Sequence, residues 1–307
     1  MTLNELKYIV AVARERHFGR AAETCHISQP TLSVAVKKLE DELGVALFER
    51  RQGEVSITTI GERVVAQAQR VLEEAGTIRQ IANHGQDQLA SPLRLGAIYT
   101  IGPYLLPHLI PTLSDLAPHM PLMIEENYTA VLTERLKQGD LDVILIALPF
   151  DEPGLLTLSL YREPFVVLLP SAHPLAGCKE VPHEALAKEN VLLLGAGHCF
   201  REQVLEACPE CRARTGGDGG TIQNLEGGSL ETIRYMVASG LGVTVLPCSA
   251  AGADRFSERL LQIRRFKGRA PGRTVALAWR KSFPRPQAIT ALRNAVLACH
   301  MSCVEPV

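Results

Sequence analysis

Apolar positions at the start of the chain recur with the period of α-helices. Hydrophobic side chains spaced by three or four residues from Leu3 onward predict a first helix, and Thr2 with Glu5 forms a capping box at its start. Residues 17–19 interrupt this period, so a short second helix is expected from Arg20 to about Cys25. The chain is therefore expected to begin with two consecutive short helices.

The third predicted helix has two chemically different sides. Ser28 is a suitable N-cap, Pro30 falls in the first turn where its missing N–H costs little, and Gly44 is a suitable end. Apolar residues at spacings of four, three and four form the inward side: Leu32, Val36, Leu39 and Leu43. The opposite side carries small hydroxyls, one valine and two lysines: Thr31, Ser33, Val34, Lys37 and Lys38. Such a side suits a DNA major groove, so we interpret this helix as the recognition helix of a helix-turn-helix.

A short basic hairpin is predicted directly after the third helix. Two apolar runs, residues 45–48 and 55–57, are separated by a segment that contains Arg50 and Arg51. A hairpin of this kind beside a recognition helix is a basic wing. Together these elements predict a DNA-binding domain over residues 1–58.

A long helix with coiled-coil spacing is predicted within residues 59–90, and Thr59 with Glu62 forms a capping box at its start. Apolar residues then alternate spacings of four and three: Val64, Ala68, Val71, Ala75, Ile78 and Ala82. A helix from Ile60 to about His84 would be about 37 Å long. It would dimerise the chain and place two recognition helices on half-sites about one DNA turn apart, or multiples of it. The alternative is a helix packed on its own domain, because Gly76 weakens the seam.

The remainder, residues 91–307, alternates short apolar runs with helical patterns, which is typical of α/β folds. The strand-like runs lie at residues 93–97, 122–125, 141–148, 165–169, 191–194, 243–246 and 274–279. Helical patterns lie near residues 104–116, 131–138, 231–238 and 289–299. Two α/β lobes in sequence would leave a cleft between them, where small ligands commonly bind.

The overall charge leaves DNA binding open, whereas the hydropathy pattern argues against secreted and membrane-spanning proteins. The 307 residues include 32 basic and 33 acidic side chains, so a DNA-binding surface must come from the placement of charges rather than their sum. The chain starts with an amphipathic stretch rather than a signal peptide, and no apolar run approaches the roughly 18 residues of a membrane span. We therefore expect a soluble, cytoplasmic protein without a membrane partner.

Among the eight cysteines, Cys199 has the setting of a reactive thiol. It follows a glycine-rich turn and His198, lies two residues before Arg201, and is expected at a helix start. Cations and helix N-termini favour the thiolate, which attacks peroxide to give a sulfenic acid. A second thiol can resolve that product to a disulfide.

Cys208 follows nine residues after Cys199, beyond a helix-favouring run. If that run is helical, the two Cα atoms stand about 13 Å apart, whereas a disulfide needs about 7 Å or less. Disulfide formation would therefore have to melt the helix, which is a bistable element of the kind that a switch requires.

Cys211 completes a CxxC spacing with Cys208 and is a competing resolving partner. A closed zinc site needs four ligands and no second pair has suitable spacing, so we expect no metal and no cofactor. The other cysteines lack a comparable basic setting, and we interpret them as structural: Cys25, Cys178, Cys248, Cys299 and Cys303.

The N-terminal motifs resemble the winged helix-turn-helix of the LysR family of transcription regulators. These motifs are FGRAA at residues 18–22, SQPTLS at 28–33, KLE at 38–40, LG at 43–44 and LFER at 47–50. The resemblance implies that six residues lie at or near DNA: Gln29, Pro30, Thr31, Ser33, Lys37 and Arg50. It also implies a regulatory domain like a periplasmic binding protein, with lobe I at residues 91–163 and 269–307 and lobe II at residues 164–268.

The regulatory half is similar to the peroxide-responsive members of the same family. The motifs that carry this similarity lie at residues 101–107, 197–199, 229–232 and 273–274, together with Cys208. The resemblance implies that Cys199 is the peroxidatic cysteine and that Cys208 is the resolving one. It also implies four residues around the peroxide: Thr100, Thr129, His198 and Arg273.

Three functions stay open at the level of sequence. The first is a transcription regulator, not an enzyme, that binds double-stranded promoter DNA as a dimer or tetramer, senses hydrogen peroxide, and activates antioxidant genes through RNA polymerase. The second is a LysR-type regulator that binds a small organic effector in the cleft between the lobes. The third is a thiol peroxidase or thiol oxidoreductase, against which stands the N-terminal DNA-binding pattern.

Overall fold

The computed structural model of the protein describes residues 1–51, 54–83, 88–208, 226–252 and 259–307. The chain divides into two compact units, one made of Met1–Gly85 with Lys137–Gly139 and the other of the rest of the chain. Within the described ranges, no helix is long and apolar enough to cross a membrane.

The N-terminal unit contains short helices, a hairpin and a long helix. Its elements are α1 (Leu3–Glu15), α2 (Phe18–Thr24), α3 (Gln29–Leu43), β1 (Phe48–Arg51), β2 (Glu54–Ile57) and α4 (Thr59–Asn83). The capping box predicted at Thr2 and Glu5 is present at the start of α1. Strands β1 and β2 pair antiparallel, as the predicted hairpin requires.

The helix-turn-helix follows from local caps. The side chain of His17 accepts hydrogen bonds from two backbone N–H groups, so α2 begins earlier than the sequence pattern predicted. Ser28 caps α3 as expected, by accepting a hydrogen bond from the backbone N–H of Thr31. Gly44 ends α3 with a φ of 69°, in the left-handed region that glycine adopts at little cost.

The inward side of α3 forms the centre of the N-terminal core. Leu32, Val36 and Leu39 are at most 1% exposed and pack with Ile9 and Val12 of α1. Burying these side chains is the main source of stability for a unit of this size. The polar side of α3 therefore faces away from the core.

The long helix α4 begins next to a cap that the sequence pattern placed one residue too late. Thr58, rather than Thr59, accepts the hydrogen bond from the backbone N–H of Gly61 through its Oγ1. Thr59 is already the first helical residue, so its hydroxyl does not occupy the capping position.

The predicted seam of α4 is divided between two environments. Ala68 is 3% exposed and Val64 is partly buried, and both pack into the core of their own unit. Val71 and Ile78 are 36% and 69% exposed. The helix therefore packs on its own domain near its start and presents apolar side chains farther along.

The second unit is an α/β domain, as the alternating pattern predicts. Its first elements are β3 (Leu93–Ile98), α5 (Gly102–Leu116), β4 (Leu122–Asn127), α6 (Thr129–Lys137), β5 (Val143–Ala147) and β6 (Leu155–Pro170). A 3-10 turn (Pro174–Gly177) then precedes β7 (Glu180–Val181), α7 (His183–Leu186), β8 (Leu193–Leu194), α8 (Cys199–Ala207), β9 (Glu226–Gly227), α9 (Leu230–Ala238) and β10 (Thr244–Pro247). The last elements are α10 (Cys248–Ala251), β11 (Leu261–Phe266), β12 (Gly272–Arg280), α11 (Pro286–Ala298) and β13 (Glu305–Pro306).

One long strand, β6, joins two halves of the principal sheet. The main path of the sheet is β4-β3-β5-β12-β6-β11-β7, and β10 and β13 also pair with β6. The first half of β6 pairs with β12, whereas its second half pairs with β10 and β11. Two hydrophobic cores follow, one from Leu93 to Tyr161 with Val275 to Val296, and one from Phe165 to Phe266.

The carboxyl ends of two parallel strands meet at one edge of the first core. Strands β3 and β4 are parallel neighbours, with Ile98 opposite Asn127 at their ends. The residues that follow, Tyr99 with Thr100 and Tyr128 with Thr129, therefore leave the sheet at the same edge, where ligands commonly bind in α/β folds.

Candidate redox site and DNA-binding surface

A small cavity at this edge brings together most of the predicted redox residues. Its lining residues are Ile98, Tyr99, Thr100, Asn127, Tyr128, Thr129, Gly197, His198 and Cys199. The space between them is about 10 Å³, which is about what one water molecule needs. The cavity therefore has the size of a very small polar molecule rather than of an organic effector.

Cys199 lies at the first position of α8 and has a free thiol. It is partly buried and, although α8 belongs to the second core, it packs against the first. The side chain of Arg201, which the sequence placed near this thiol, donates a hydrogen bond to the backbone carbonyl of Leu194 at 2.7 Å. Cys199 is thus a thiol at a helix N-terminus that faces the neighbouring lobe.

His198 is a buried imidazole with one nitrogen committed and one unused. The side chain is 8% exposed, and its Nε2 has no hydrogen-bond partner among the described residues. Burial lowers the pKa of His198, and a hydrogen bond to the backbone carbonyl of Gly228 opposes this in part. Since Nε2 is unbonded, Nδ1 is the donor to Gly228, which leaves Nε2 as an acceptor.

Two tyrosines enclose His198 and were missed by the sequence analysis. The ring centroid of His198 is 4.8 Å from that of Tyr128 and 5.9 Å from that of Tyr99. Gly197 has a φ of 97°, and a Cβ at that position would stand 3.3 Å from ring carbons of Tyr128. The positive φ favours glycine at this position, and any other side chain would also press on the ring of Tyr128. The sequence signal that could have indicated these tyrosines was their position directly after the ends of two strands.

The two threonines of the cavity have different hydrogen-bond states. Thr129 Oγ1 is buried and has no partner within the described part of the chain. Thr100 is 2% exposed, and its Oγ1 accepts a hydrogen bond of 2.7 Å from Nη1 of Arg273. Thr129 Oγ1 and His198 Nε2 are thus two unused polar atoms of the cavity lining, beside a free thiol.

Arg273 stands behind Thr100 rather than in the cavity wall. Its side chain is fully buried, Nη2 donates to the Thr100 carbonyl at 2.7 Å, and Nε donates to Oε2 of Glu163 at 2.7 Å. Its guanidinium carbon also lies 5.4 Å from the ring centroid of Phe200, the residue after Cys199. Arg273 therefore connects both sides of the thiol site.

Glu163 extends this connection and was also missed by the sequence analysis. It is fully buried in β6, and its Oε1 accepts hydrogen bonds from the backbone N–H and the hydroxyl of Ser249 in α10. A buried carboxylate of this kind requires its cationic and hydrogen-bond partners. Because Glu163 and Arg273 are 110 positions apart, no local pattern indicates the pair.

Cys208 is not joined to Cys199 in this structure. The run between them is helical as expected, and Cys208 follows the end of α8 with 2% exposure. Cys208 is disulfide-bonded, whereas Cys199 is a free thiol. Cys211, the competing partner in the sequence analysis, lies outside the described residues.

Cys248 and Cys303, which the sequence analysis interpreted as structural, are paired with each other. They form a disulfide with a Cα–Cα distance of 6.0 Å across a sequence separation of 55. Both residues also line a pocket that contains three arginines. Cys25, Cys178 and Cys299 have free thiols.

Most of the predicted DNA-binding residues lie on the outward side of α3. Gln29, Pro30 and Thr31 are exposed, Ser33 is partly exposed, and Thr31 Oγ1 is 2.7 Å from Ser28 Oγ. Arg50 lies in β1, and its side chain is outside the described part of the structure.

The two lysines of this face differ in their contacts. Lys37 Nζ is 3.0 Å from Oδ1 of Asp41, and both side chains are exposed. Lys38 Nζ instead contacts Oε1 of Glu5 at 3.0 Å, where the Glu5 side chain is 8% exposed. The Lys37 pair therefore lies within α3, whereas Lys38 links α3 to α1.

Comparison with known proteins identifies the class. The family model for the bacterial regulatory helix-turn-helix protein, lysR family, matches residues 3–62, and that for the LysR substrate binding domain matches residues 86–299. The chain belongs to the LysR family of DNA-binding transcription regulators.

Two transcription regulators are similar to nearly the whole chain. The chain is 38% identical to the DNA-binding transcriptional dual regulator OxyR of Escherichia coli K12 over 298 residues, which covers 97% of this chain and 95% of that protein. It is 39% identical over 299 residues to a probable hydrogen peroxide-inducible genes activator of Streptomyces viridosporus, covering 96% of this chain and 94% of the relative.

Solved structures show the same similarity. Full-length OxyR C199D from Pseudomonas aeruginosa is 55% identical with a TM-score of 0.75, covering 98% of this chain and 96% of that one. A cysteine mutant of Corynebacterium glutamicum OxyR in its H2O2-bound form is 32% identical with a TM-score of 0.65, covering 97% of this chain and 92% of that one.

Proposed function

We propose that this protein is a LysR-type regulator that senses hydrogen peroxide by oxidation of Cys199. The observation that carries the proposal is the cavity beside the Cys199 thiol, which is about the size of one water molecule and is lined by two unused polar atoms. Hydrogen peroxide is among the smallest polar oxidants and carries two O–H donors and several lone pairs, so it suits the polarity of this space and comes closer to its size than an organic effector does. Hydrogen peroxide appears in the names of the Streptomyces viridosporus relative and of the Corynebacterium glutamicum structure, which agrees with this signal.

The oxidation of Cys199 to a disulfide proceeds in two steps. The Cys199 thiolate attacks one oxygen of hydrogen peroxide, the O–O bond breaks, and Cys199 sulfenic acid and hydroxide form. A second thiol then attacks the sulfenic sulfur, which gives a disulfide and water. No metal or further cofactor takes part.

The cavity residues orient the oxidant. Thr129 Oγ1 and His198 Nε2 are the free hydrogen-bonding atoms, and Thr100 Oγ1 is held in place by Arg273. In this arrangement Arg273 acts mainly as a positioning residue, through Thr100, and adds positive charge near the departing hydroxide.

Cys208 is the proposed resolving cysteine. It is disulfide-bonded in the structure, so two low-molecular-weight thiols must first open this bond by exchange, which releases the Cys208 thiol and leaves the small thiols as their own disulfide. Cys208 then reaches Cys199 only if α8 unwinds, because an intact helix of this length separates their Cα atoms by about 13 Å. Unwinding displaces Phe200, Val204 and Leu205, which are at most 5% exposed. Cys211 is the competing resolving thiol.

The output is a change in promoter binding. The residues proposed at DNA are Gln29, Pro30, Thr31, Ser33, Lys37 and Arg50, within a DNA-binding domain of residues 1–58. The exposed Val71 and Ile78 support a dimer through residues 59–90, and two dimers would form a tetramer. The regulatory domain of residues 91–307 would then control activation of antioxidant genes through RNA polymerase in the cytoplasm.

A nuclease footprint on promoter DNA tests this proposal. The native protein, Cys199→Ser and the control Cys178→Ser, which removes an exposed free thiol, are compared before and after peroxide. We expect peroxide to change the length or spacing of protection for the native protein and the control, but not for Cys199→Ser. If peroxide leaves the native footprint unchanged, the regulator responds to another effector. Peroxide consumption far beyond the protein thiols would instead indicate a thiol peroxidase.

A further inference from the structure

The disulfide between Cys248 and Cys303 lies in the wall of a large pocket that the peroxide site does not use. Cys248 begins α10 and Cys303 precedes β13, and both side chains are partly exposed. The pocket is about 790 Å³ in volume, within the range of about 300–1,000 Å³ that is typical of small-molecule sites. Strands β6 and β11 supply its floor, together with the segment of residues 268–270.

The charge of this pocket is positive. Three arginines line it, Arg162, Arg265 and Arg269, together with Glu180 and Glu305. Arg162 pairs with Glu305 at 3.5 Å. Arg265 and Arg269 are exposed, and neither has an ion-pair partner among the described residues, although Glu180 is the strand neighbour of Arg265. Two guanidinium groups are thus free to bind carboxylates, for which their planar geometry is well suited.

We propose that Cys248 and Cys303 form a second thiol–disulfide exchange site, whose pocket binds a low-molecular-weight thiol that carries carboxylates. Two observations support this proposal. Both cysteines of a reducible bond line the pocket, and the same pocket is lined by two arginines that have no ion-pair partner among the described residues. An anionic thiol held by Arg265 and Arg269 would have its sulfur presented to the disulfide. This site is separate from Cys199 and goes beyond the peroxide response.

The exchange needs two molecules of the thiol. The thiolate of the first attacks one sulfur of the Cys248–Cys303 bond, which breaks, so that a mixed disulfide forms and the other cysteine leaves as a thiolate. The second attacks the mixed disulfide and releases the second cysteine. The products are two protein thiols and one disulfide of the small thiol, and the two electrons come from the small thiols.

Opening this bond would release the end of the chain. The disulfide holds the C-terminal segment beside α10, and β13 continues along β6 opposite Arg162 and Tyr161. Next to Cys248, Ser249 bonds to Glu163, which in turn holds Arg273. Reduction of the disulfide would therefore loosen α10, which is linked to Thr100 through Glu163 and Arg273.

The test compares three thiol probes on full-length Cys199→Ser protein, so that the peroxide site does not react. Reduced glutathione carries carboxylates, 2-mercaptoethanol is neutral and cysteamine is cationic. Rates are normalised to the thiolate concentration of each probe. Opening is followed by alkylation and mass spectrometry of the peptides that contain Cys248 and Cys303, while Cys178 and Cys299 report thiols that are free from the start.

We expect glutathione to open the bond about tenfold faster than cysteamine, an advantage that salt diminishes. The advantage should disappear in Arg265→Gln/Arg269→Gln and persist in Lys281→Gln, which removes an exposed cation that does not line the pocket. Equal normalised rates for the three probes, or an advantage that survives the double arginine substitution, would overturn the proposal. So would alkylation of Cys248 and Cys303 before any thiol is added.

Discussion

Arg273 donates two hydrogen bonds to Thr100, from Nη1 to the side-chain oxygen and from Nη2 to the backbone carbonyl, each 2.7 Å long. Because one hydrogen bond holds the side chain of Thr100 and the other holds its backbone, Arg273 fixes both the rotamer and the backbone position of Thr100. Thr100 also lines the cavity beside Cys199, so the orientation of a cavity atom depends on a side chain outside the cavity.

Replacing Arg273 by Gln should therefore affect both folding and reactivity. Glu163 would be left as a fully buried charge without its cation, which typically lowers the free energy of unfolding by about 3–5 kcal/mol. Urea unfolding measures this loss. The double variant Arg273→Gln/Glu163→Gln should recover part of it, because the buried charge is gone. A double variant as unstable as Arg273→Gln would contradict this account.

The same pair of substitutions separates stability from reactivity. In the double variant Thr100 still lacks its two donors, so we expect the rate of Cys199 oxidation by peroxide to stay about tenfold or more below that of the native protein. The measurement is the rate at which Cys199 becomes resistant to alkylation. Native reactivity in the double variant would show that Arg273 does not position Thr100 for the reaction.

Tyr128 is expected to limit the size of the oxidant. Its ring packs on His198 and against Gly197, and the cavity holds only about 10 Å³. Tyr128→Ala should enlarge the cavity and raise the reactivity of tert-butyl hydroperoxide relative to hydrogen peroxide by about tenfold, since extra methyl groups are discriminated by about this much in tight pockets. Tyr128→Phe, which retains the ring, is the control. An unchanged ratio of the two rates in Tyr128→Ala would exclude Tyr128 as the size filter.

His198 should make stability depend on pH in the acidic range. Burial lowers its pKa in the folded protein, whereas the unfolded chain titrates near the ordinary value of about 6.5. Its contribution is therefore fully present above about pH 6.5 and is lost as the pH falls through the lower folded pKa, because the unfolded state takes up the proton first. Urea midpoints from about pH 7.5 to about pH 5 should fall more steeply for the native protein than for His198→Asn. Parallel curves would rule out this linkage.

The sequence predicts the elements that depend on local chemistry. The capping box at Thr2 and the cap at Ser28 require only residues within one helical turn, and both are present. The helix after Cys199 is likewise a local pattern. Such signals predict where helices begin, and they fail by a residue where two hydroxyls compete, as at Thr58 and Thr59.

The surroundings of the thiol depend on pairings far apart in sequence. Tyr99 and Tyr128 meet because β3 and β4 are parallel neighbours in a fixed register. Cys248 and Cys303 meet because the C-terminal segment returns to β6. No periodicity indicates these pairings, so the two tyrosines of the cavity wall and the Cys248–Cys303 disulfide became apparent only with the fold.

The Cys248–Cys303 disulfide should stabilise the regulatory domain. Closing a loop across a separation of 55 residues restricts the unfolded chain, which corresponds to about 4 kcal/mol in the chain-entropy account. Cys303→Ser should lower the free energy of unfolding by about 2–4 kcal/mol. In this variant, dithiothreitol should cause no further loss of stability through this bond. Cys299→Ser is the matched control, because Cys299 is a free thiol that bonds to the Ala295 carbonyl. A Cys303→Ser protein as stable as this control would exclude the stabilising role.

Lys37 and Lys38 should separate DNA affinity from folding. Among the described residues, the ion-pair partner of Lys37 is the exposed Asp41, and exposed pairs contribute little to stability, so Lys37→Ala should leave the urea midpoint nearly unchanged. It should weaken promoter binding for all sequences alike and reduce the slope of log K against log salt by about one per recognition helix. Lys38→Ala breaks the contact with the buried Glu5 and should lower the midpoint instead. Asp41→Ala is the control, because it removes the same pair but retains the Lys37 cation and should bind DNA at least as tightly as the native protein. If Asp41→Ala weakened binding as much as Lys37→Ala, the ion pair rather than a phosphate contact would explain the effect.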